Sequence, residues 1–273
     1  MAELNNNHGR GEDELNQFIE RLTERLTKIL GISIEKEIAK RIDQLRIEYK
    51  RDEQQAINTG ITAHVEEKVK EWVCPRIPSW INSDHLTILG LFGVVVCAAG
   101  FILGSYNRWY IFLVILGLFL NWFGDSFDGS LARYRKKTRP NYGYYIDHVV
   151  DALAILIFSI GLGVSLYVRI DIALLFAAMY MALMVHVELI TYVENEFKYS
   201  FGLVGPTEIR ILGVFAVIAM FFSPIKYYNI LGQYVSQYDA AFLIVSILMG
   251  LLLLYSLITK GIELDKKDRA NWK

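Results

Sequence analysis

Four aspartates, Asp125, Asp128, Asp147 and Asp151, stand at the facing ends of two consecutive apolar runs. An intramembrane carboxylate costs roughly 3 kcal/mol on insertion scales, so its presence calls for a function or a partner. The spacing sharpens that demand. Asp125 and Asp128 are three residues apart and Asp147 and Asp151 four, so on helices each pair occupies one face. Two helices joined by a short connection run antiparallel side by side, which brings those faces together. Four carboxylates converging without a cation would repel one another. A divalent ion relieves the repulsion, and an all-oxygen ligand set suits Mg2+ or Mn2+ rather than zinc. Gly129 follows Asp128 directly and Gly143 precedes Asp147 by four; a residue without Cβ lets a bulky ligand approach the backbone. Arg133, five residues past Asp128, is a cation for a phosphate. Metal, phosphate-binding cation and room for a ligand together point to phosphoryl-type chemistry. The blander alternative is that the aspartates pair with the basic loop beside them.

The stretch Asp125-Ser-Phe-Asp128-Gly129-Ser-Leu-Ala132-Arg133, a gap of nine residues, and then Gly143-Tyr-Tyr-Ile-Asp147-His-Val-Val-Asp151 resembles the signature of the CDP-alcohol phosphotransferases (CDP-alcohol phosphatidyltransferases). That signature reads DxxDGxxAR…GxxxDxxxD, and all eight of its fixed positions are present within 27 residues. The resemblance extends over about residues 78–260. It implies that Asp125, Asp128 and Asp147 ligate two divalent ions, and that Asp151 is the general base for the acceptor hydroxyl and a further metal contact. It implies that Gly129, Ala132 and Arg133 line the cytidine diphosphate site, with Gly143 giving close approach. It further implies a homodimer embedded in the lipid bilayer, with a CDP-linked donor and a hydroxyl acceptor as substrates and CMP as the leaving group.

Further candidates flank the signature. Trp80-Ile-Asn-Ser-Asp84-His85-Leu-Thr87 precedes the first apolar run, where family members carry a Pro-Asn and a Thr; Asp84 stands in the Asn place and also suits a helix cap. Gly205-Pro206-Thr207-Glu208-Ile-Arg210 opens a later run, and Glu208 and Arg210 are candidates to bind acceptor or phosphate, or to pair with neighbours. His186, Glu188 and Glu194 are candidates for acceptor contact, against hydrogen bonding between packed helices.

These residues need a scaffold, and the composition describes one. Of 273 residues, 53% are hydrophobic, more than a soluble interior can take up. The apolar residues concentrate after position 85. Leu86–Gly104, Trp109–Gly124, Val149–Val168, Ile172–Val187, Ile211–Ser223 (entered from Pro206) and Ala240–Thr259 read as six transmembrane helices. The expected fold is an all-α integral membrane protein: an N-terminal cytoplasmic helical region over 1–80, a membrane domain over 81–262 and a cytoplasmic tail over 263–273. Arg133, Arg135, Lys136, Lys137 and Arg139 crowd one connection, whereas Arg108, Arg169 and Lys226 stand singly in the alternate ones. The excess of cations places that connection, both termini and the active site in the cytoplasm, in a bacterial cytoplasmic membrane or an endomembrane.

Before Pro78 the chain carries three apolar stripes: Leu15, Ile19, Leu22, Leu26, Ile29; then Ile38, Ile42, Leu45, Tyr49; then Ile57, Ile61, Val65, Val69, Trp72, with Gly31 and Gly60 as breaks. Its 13 basic and 15 acidic residues exclude a polybasic lipid clamp, leaving packing on the membrane domain, the interface or a second copy. The opening MAELNNNHGRGEDEL does not read as a cleaved signal peptide. Cys74 and Cys97 form no disulfide framework and read as small apolar fillers. A net charge of −1 gives no bias toward nucleic acid.

A transferase of substituted phosphate groups in phospholipid biosynthesis is the reading that follows. The cation Arg210 favours CDP-diacylglycerol as donor and a small, anionic polar acceptor. The alternative within the family is phosphocholine or phosphoethanolamine transfer from CDP-choline or CDP-ethanolamine to diacylglycerol. An intramembrane prenyltransferase would use two aspartate motifs with magnesium, but it gives Gly129, Ala132 and Arg133 no role. A transporter would show repeated halves, which are absent, and a non-catalytic scaffold has no need of four carboxylates.

Overall fold

The computed structural model describes residues 62–194, 206–230 and 232–270, together with Phe18, Arg21 and Trp272. The chain divides into two compact units, Met1–Gln55 and Ala56–Lys273, and the fold below is that of the second. The first two apolar stripes, the start of the third at Ile57 and Ile61, and the breaks at Gly31 and Gly60 lie outside the described residues.

In chain order the elements are α1 (Ala63–Val73), α2 (Ser83–Gly104), α3 (Phe112–Tyr134), α4 (Pro140–Val164), α5 (Ile170–Glu194), α6 (Pro206–Phe222), a hairpin of β1 (Tyr227–Ile230) and β2 (Gln233–Ser236), and α7 (Gln237–Ala270). Short 3-10 turns at Cys74–Arg76 and Arg108–Ile111 follow α1 and lead into α3. Five helices, α2, α3, α4, α5 and α7, are long and apolar enough to cross a membrane. With 17 residues, α6 rises about 26 Å, a little under a hydrocarbon core of about 30 Å. Large apolar side chains such as Phe92, Phe119, Phe215 and Leu252 stand exposed on outward faces, as lipid contact allows and water does not.

The helices overrun the charge-free stretches that announce them. Pro140, whose fixed φ suits a first turn, starts α4 nine residues before Val149, so Gly143, Asp147 and Asp151 share one helix. α7 runs through Lys260 to Ala270, so the expected tail continues the last span. At about 51 Å it is much longer than the bilayer core. An all-α expectation also missed the antiparallel hairpin, paired from Tyr227 with Ser236 to Ile230 with Gln233. Gly232 takes φ +83 in its turn and donates its N–H to Asn229 Oδ1 at 3.0 Å, and that conformation is open to glycine at little cost.

α2 and α3 meet backbone to backbone. A Cβ placed on Gly124 would lie 2.4 Å from Leu86 O and Gly90 N, and one on Gly117 would lie 2.4 Å from Gly93 O. Small residues three or four apart let membrane helices approach this closely, and dispersion then holds them. Asn121 Nδ2 adds a hydrogen bond to Gly90 O at 3.2 Å. α4 packs on the other side of α2, where Gly161 faces Ala98.

Two apolar cores result. One, around Phe101, Ile111, Val114 and Leu162, is joined by Val217 and Met220 of α6. Beside it the buried Asp239 completes a capping box on α7, accepting from Ser236 N at 2.8 Å while Ser236 Oγ accepts from Asp239 N at 2.9 Å. Asp239 also accepts from Arg169 N at 2.7 Å, tying the α4–α5 turn to α7. The second core gathers Cys74, Leu86, Phe127 and Leu131, with Val69 and Val73 of α1 against it. Both cysteines are free and buried.

The apolar stripe of α1 is only partly covered, with Val69 against the second core. Val65 and Trp72 are exposed, whereas Glu66 is 7% exposed. Hydrogen bonds to Glu66 from other helices outweigh the apolar alternative.

The glycine contact yields a measurable expectation. Gly124→Ala should destabilise the protein by about 1–3 kcal/mol, the range for overpacking, whereas Gly261→Ala on α7, with nothing within 4 Å, should leave it unchanged. Thermal unfolding in detergent distinguishes them, and equal melting temperatures would show that α2 and α3 are not in backbone contact.

Candidate active site

The carboxylates are set well inside their helices. Asp128 lies six residues before the end of α3 at Tyr134 and Asp151 eleven after the start of α4 at Pro140, about 9 and 17 Å along the axes. Asp125 and Asp128 project from α3, and Asp147 and Asp151 from α4. All four are half-buried, and they stand near enough to act on one another, with Asp147 in the field of Asp125, Asp128 and Asp151.

Their partners differ by helix. Arg210 Nη2 of α6 donates to Asp125 Oδ2 at 2.8 Å, and its Nε donates to Asn121 Oδ1 at 2.9 Å. Thr87 of α2 donates to Asp128 Oδ2 at 2.7 Å, and Gly129 N donates to Asp128 Oδ1 at 2.5 Å. Asp147 and Asp151 accept no hydrogen bond from the described residues. Among the described residues no cation of the basic connection pairs with the four aspartates directly, and Arg133 acts on Asp128 only through its field. Arg135 donates to the carbonyls of Ile77 and Pro78, each at 2.9 Å, and to Ile81 O, and Arg139 pairs with Asp84. Asp84 therefore ties α2 to the α3–α4 connection, while Asn82 holds the N-cap position.

The remaining candidates separate. Arg133 is exposed and donates to Ser130 Oγ at 3.2 Å, with Gly129 one turn before it beside its guanidinium. Ala132 is half-buried and its carbonyl accepts from Lys137 N at 2.9 Å as α3 ends. Gly143 is exposed with open space around it. Glu208 accepts from Thr62 N and Oγ1 at 2.9 and 2.8 Å, so it holds α1. His186 bonds Ser256 Oγ of α7 at 2.8 Å, and Glu194 pairs with Lys260 and Lys267; both join α5 to α7. Glu188 stays with the site. Its Oε1 is buried without a hydrogen bond, lies 3.9 Å from His148 Nε2 and acts electrostatically on Asp151.

Sequence reasoning passed over Asn121 and His148. Asn121 is four residues before Asp125, on the same helical face, and that spacing was the available signal. His148, beside Asp147, packs on the Tyr144 ring at a centroid distance of 4.1 Å and, with Glu188, borders a cavity of about 400 Å3 between α4 and α5. Val149, Ala152, Leu156 and Met184 give that cavity an apolar wall.

Among the described residues, no three acidic, histidine or cysteine side chains close on one point as metal ligands. The donor chemistry nevertheless fits a hard divalent cation. Every candidate ligand atom is a carboxylate oxygen, two of the carboxylates lack a hydrogen-bond donor among the described residues, and one guanidinium in contact cannot balance four negative charges.

Residues 80–258 match the family model described as CDP-alcohol phosphatidyltransferase. Cholinephosphotransferase 1 of Danio rerio is 28% identical over 170 residues, covering 58% of this chain and 43% of that protein. The chain thus spans less than half the length of this relative. With the match running across the signature aspartates and the helices that hold them, the chain belongs to the CDP-alcohol phosphatidyltransferase family, transferases of substituted phosphate groups.

Proposed function

We propose that this protein transfers a phosphoalcohol group from a CDP-linked donor to a hydroxyl acceptor and releases CMP, at a site built from α2 to α6. The observation that carries the reading is the gathering of Asp125 and Asp128 with Asp147 and Asp151 from two consecutive helices that both pack on α2, inside a matched family domain. Asp125, Asp128 and Asp147 would hold a pair of divalent ions, Mg2+ or Mn2+, and these, when bound, neutralise the pyrophosphate. Asp151 takes the proton of the acceptor hydroxyl. The hydroxyl oxygen then bonds to the phosphorus that carries the alcohol, the bond from that phosphorus to the CMP oxygen breaks, and CMP leaves with the electron pair. Arg133, at the exposed end of α3, meets the donor phosphate or nucleotide; Gly129, Ala132 and Gly143 leave it room.

Two donors compete. For CDP-diacylglycerol with a small anionic acceptor speaks the modest number of spans, six if α6 crosses with the other five. For phosphocholine or phosphoethanolamine transfer to a diacylglycerol speaks the likeness to cholinephosphotransferase 1. The second reading has the more specific support, and we adopt it.

Purified protein in lipid nanodiscs should release CMP from CDP-choline or CDP-ethanolamine when diacylglycerol is supplied. Release only from CDP-diacylglycerol with a polar alcohol would reverse the choice of donor, and no release from any CDP-alcohol would end the proposal. Asp151→Asn should abolish turnover while largely sparing CDP binding, whereas Asp125→Asn should weaken Mn2+ binding and turnover together; near-native turnover by Asp151→Asn would remove it as the base. Isothermal titration and a CMP assay read the two effects.

We propose the cytoplasmic side for both termini and the signature, on the crowding of Arg133, Arg135, Lys136, Lys137 and Arg139 in one connection. A single cysteine beside Arg108 or Tyr234 should react with an impermeant maleimide in intact cells, and one beside Lys137 only after permeabilisation. The reverse pattern would invert the orientation.

A further inference from the structure

α1 and the start of α6 are joined by a reciprocal pair of contacts. Thr62, which precedes α1, donates through N and Oγ1 to Glu208 of α6, and Thr207 of α6 donates through Oγ1 to Glu66 of α1 at 2.7 Å. The Glu208 carboxylate also sits where the first N–H groups of α1 need acceptors. Glu66 is the one acidic side chain of α1 turned inward. It is paired with Lys70 at 2.7 Å and has Ser126 of α3 beside it. Burial raises the Glu66 carboxyl, but hydrogen bonds from Lys70 and Thr207 outweigh it and hold the group below its ordinary range, so it is ionised at neutral pH.

Both ends of this latch adjoin the site. Ser126 is the neighbour of Asp125 in sequence, and Arg210 follows Glu208 by two residues. Arg210 is the cation in contact with Asp125, so a guanidinium occupies the place at Asp125 Oδ2 that a divalent ion would contest. α1 reaches the aspartates by two routes: through α6 and Arg210, and through Ser126 of α3 beside Asp125.

We propose that Glu66 and Thr207 are positioning residues: by latching α1 to α6 they hold Arg210 on Asp125, so that a divalent cation must displace the guanidinium, which is thereby freed to face the donor phosphate. This inference rests on reading the four aspartates as a cation site. It assigns the segment just before the membrane domain a part in setting cation affinity.

Mn2+ binding to the full chain in detergent, read by the electron paramagnetic resonance of the free ion, tests it without reference to turnover. Arg210→Ala should tighten Mn2+ binding about tenfold, mid-range for residues in one ion-pair network. Thr207→Val, which removes only a hydroxyl and keeps the side-chain shape, should tighten it several-fold, and so should Glu66→Ala. On the Arg210→Ala background Thr207→Val should add nothing, because the latch acts through that guanidinium. Equal effects of Thr207→Val in both backgrounds, or none in the native one, would overturn the latch while leaving the cation site standing. Absence of Mn2+ binding by the native protein would overturn the cation site and the latch together.

Discussion

Lipid tails are as apolar as leucine, so the hydrophobic effect does not press one membrane helix onto another. α2 and α3 are held instead by dispersion between bare backbones, which works only where Gly93, Gly117 and Gly124 remove the side chains that would keep them apart. The site depends on that closeness. At this separation the short hydroxyl of Thr87 reaches Asp128 and the short amide of Asn121 reaches Gly90 O. Asn121 is in turn a fixed acceptor for Arg210. The glycine seam therefore sets the geometry of the α3 carboxylates as well as the packing of the bundle.

Charge is the second constraint. Four carboxylates in a partly dehydrated setting require cations, and the protein supplies them unevenly. α3 receives Arg210 from α6 and hydroxyl and amide donors for Asp128. α4 offers Asp147 and Asp151 nothing comparable among the described residues. Two cations of the nearby connection are drawn into other work, with Arg135 clamping the backbone around Ile77 and Pro78 and Arg139 pairing with Asp84. The uncompensated charge lies on the α4 side, facing the donors of α3.

The reactive half of the molecule was legible from short-range spacing. Pairs three and four residues apart share a helical face wherever the helix sits, so Asp125 with Asp128 and Asp147 with Asp151 could be grouped in advance, and charge-free runs marked the five long helices. What was illegible depends on contacts between distant positions. Periodicity left open what the stripe of Val65, Val69 and Trp72 on α1 faces, and gave no sign that Thr207, far along the chain, draws Glu66 inward. Glu208 and Arg210, two residues apart, go separate ways because Thr62 lies on one side of α6 and Asp125 on the other. The capping box at Ser236 and Asp239 and the turn glycine Gly232 were local signals, hidden by the expectation of a plain loop between two spans.

The cavity between α4 and α5 has Val149, Leu156 and Met184 on its wall and Glu188 at its border. On the proposed function, a lipid acceptor dissolved in the bilayer would meet the site by lateral diffusion in a plane, without crossing water. Its effective concentration is then a mole fraction of the bilayer rather than an amount per volume of buffer, so adding inert lipid dilutes it at constant total concentration. A nucleotide-linked donor supplied from water would be unaffected by that dilution. The two substrates of such an enzyme obey concentration scales of different dimensionality.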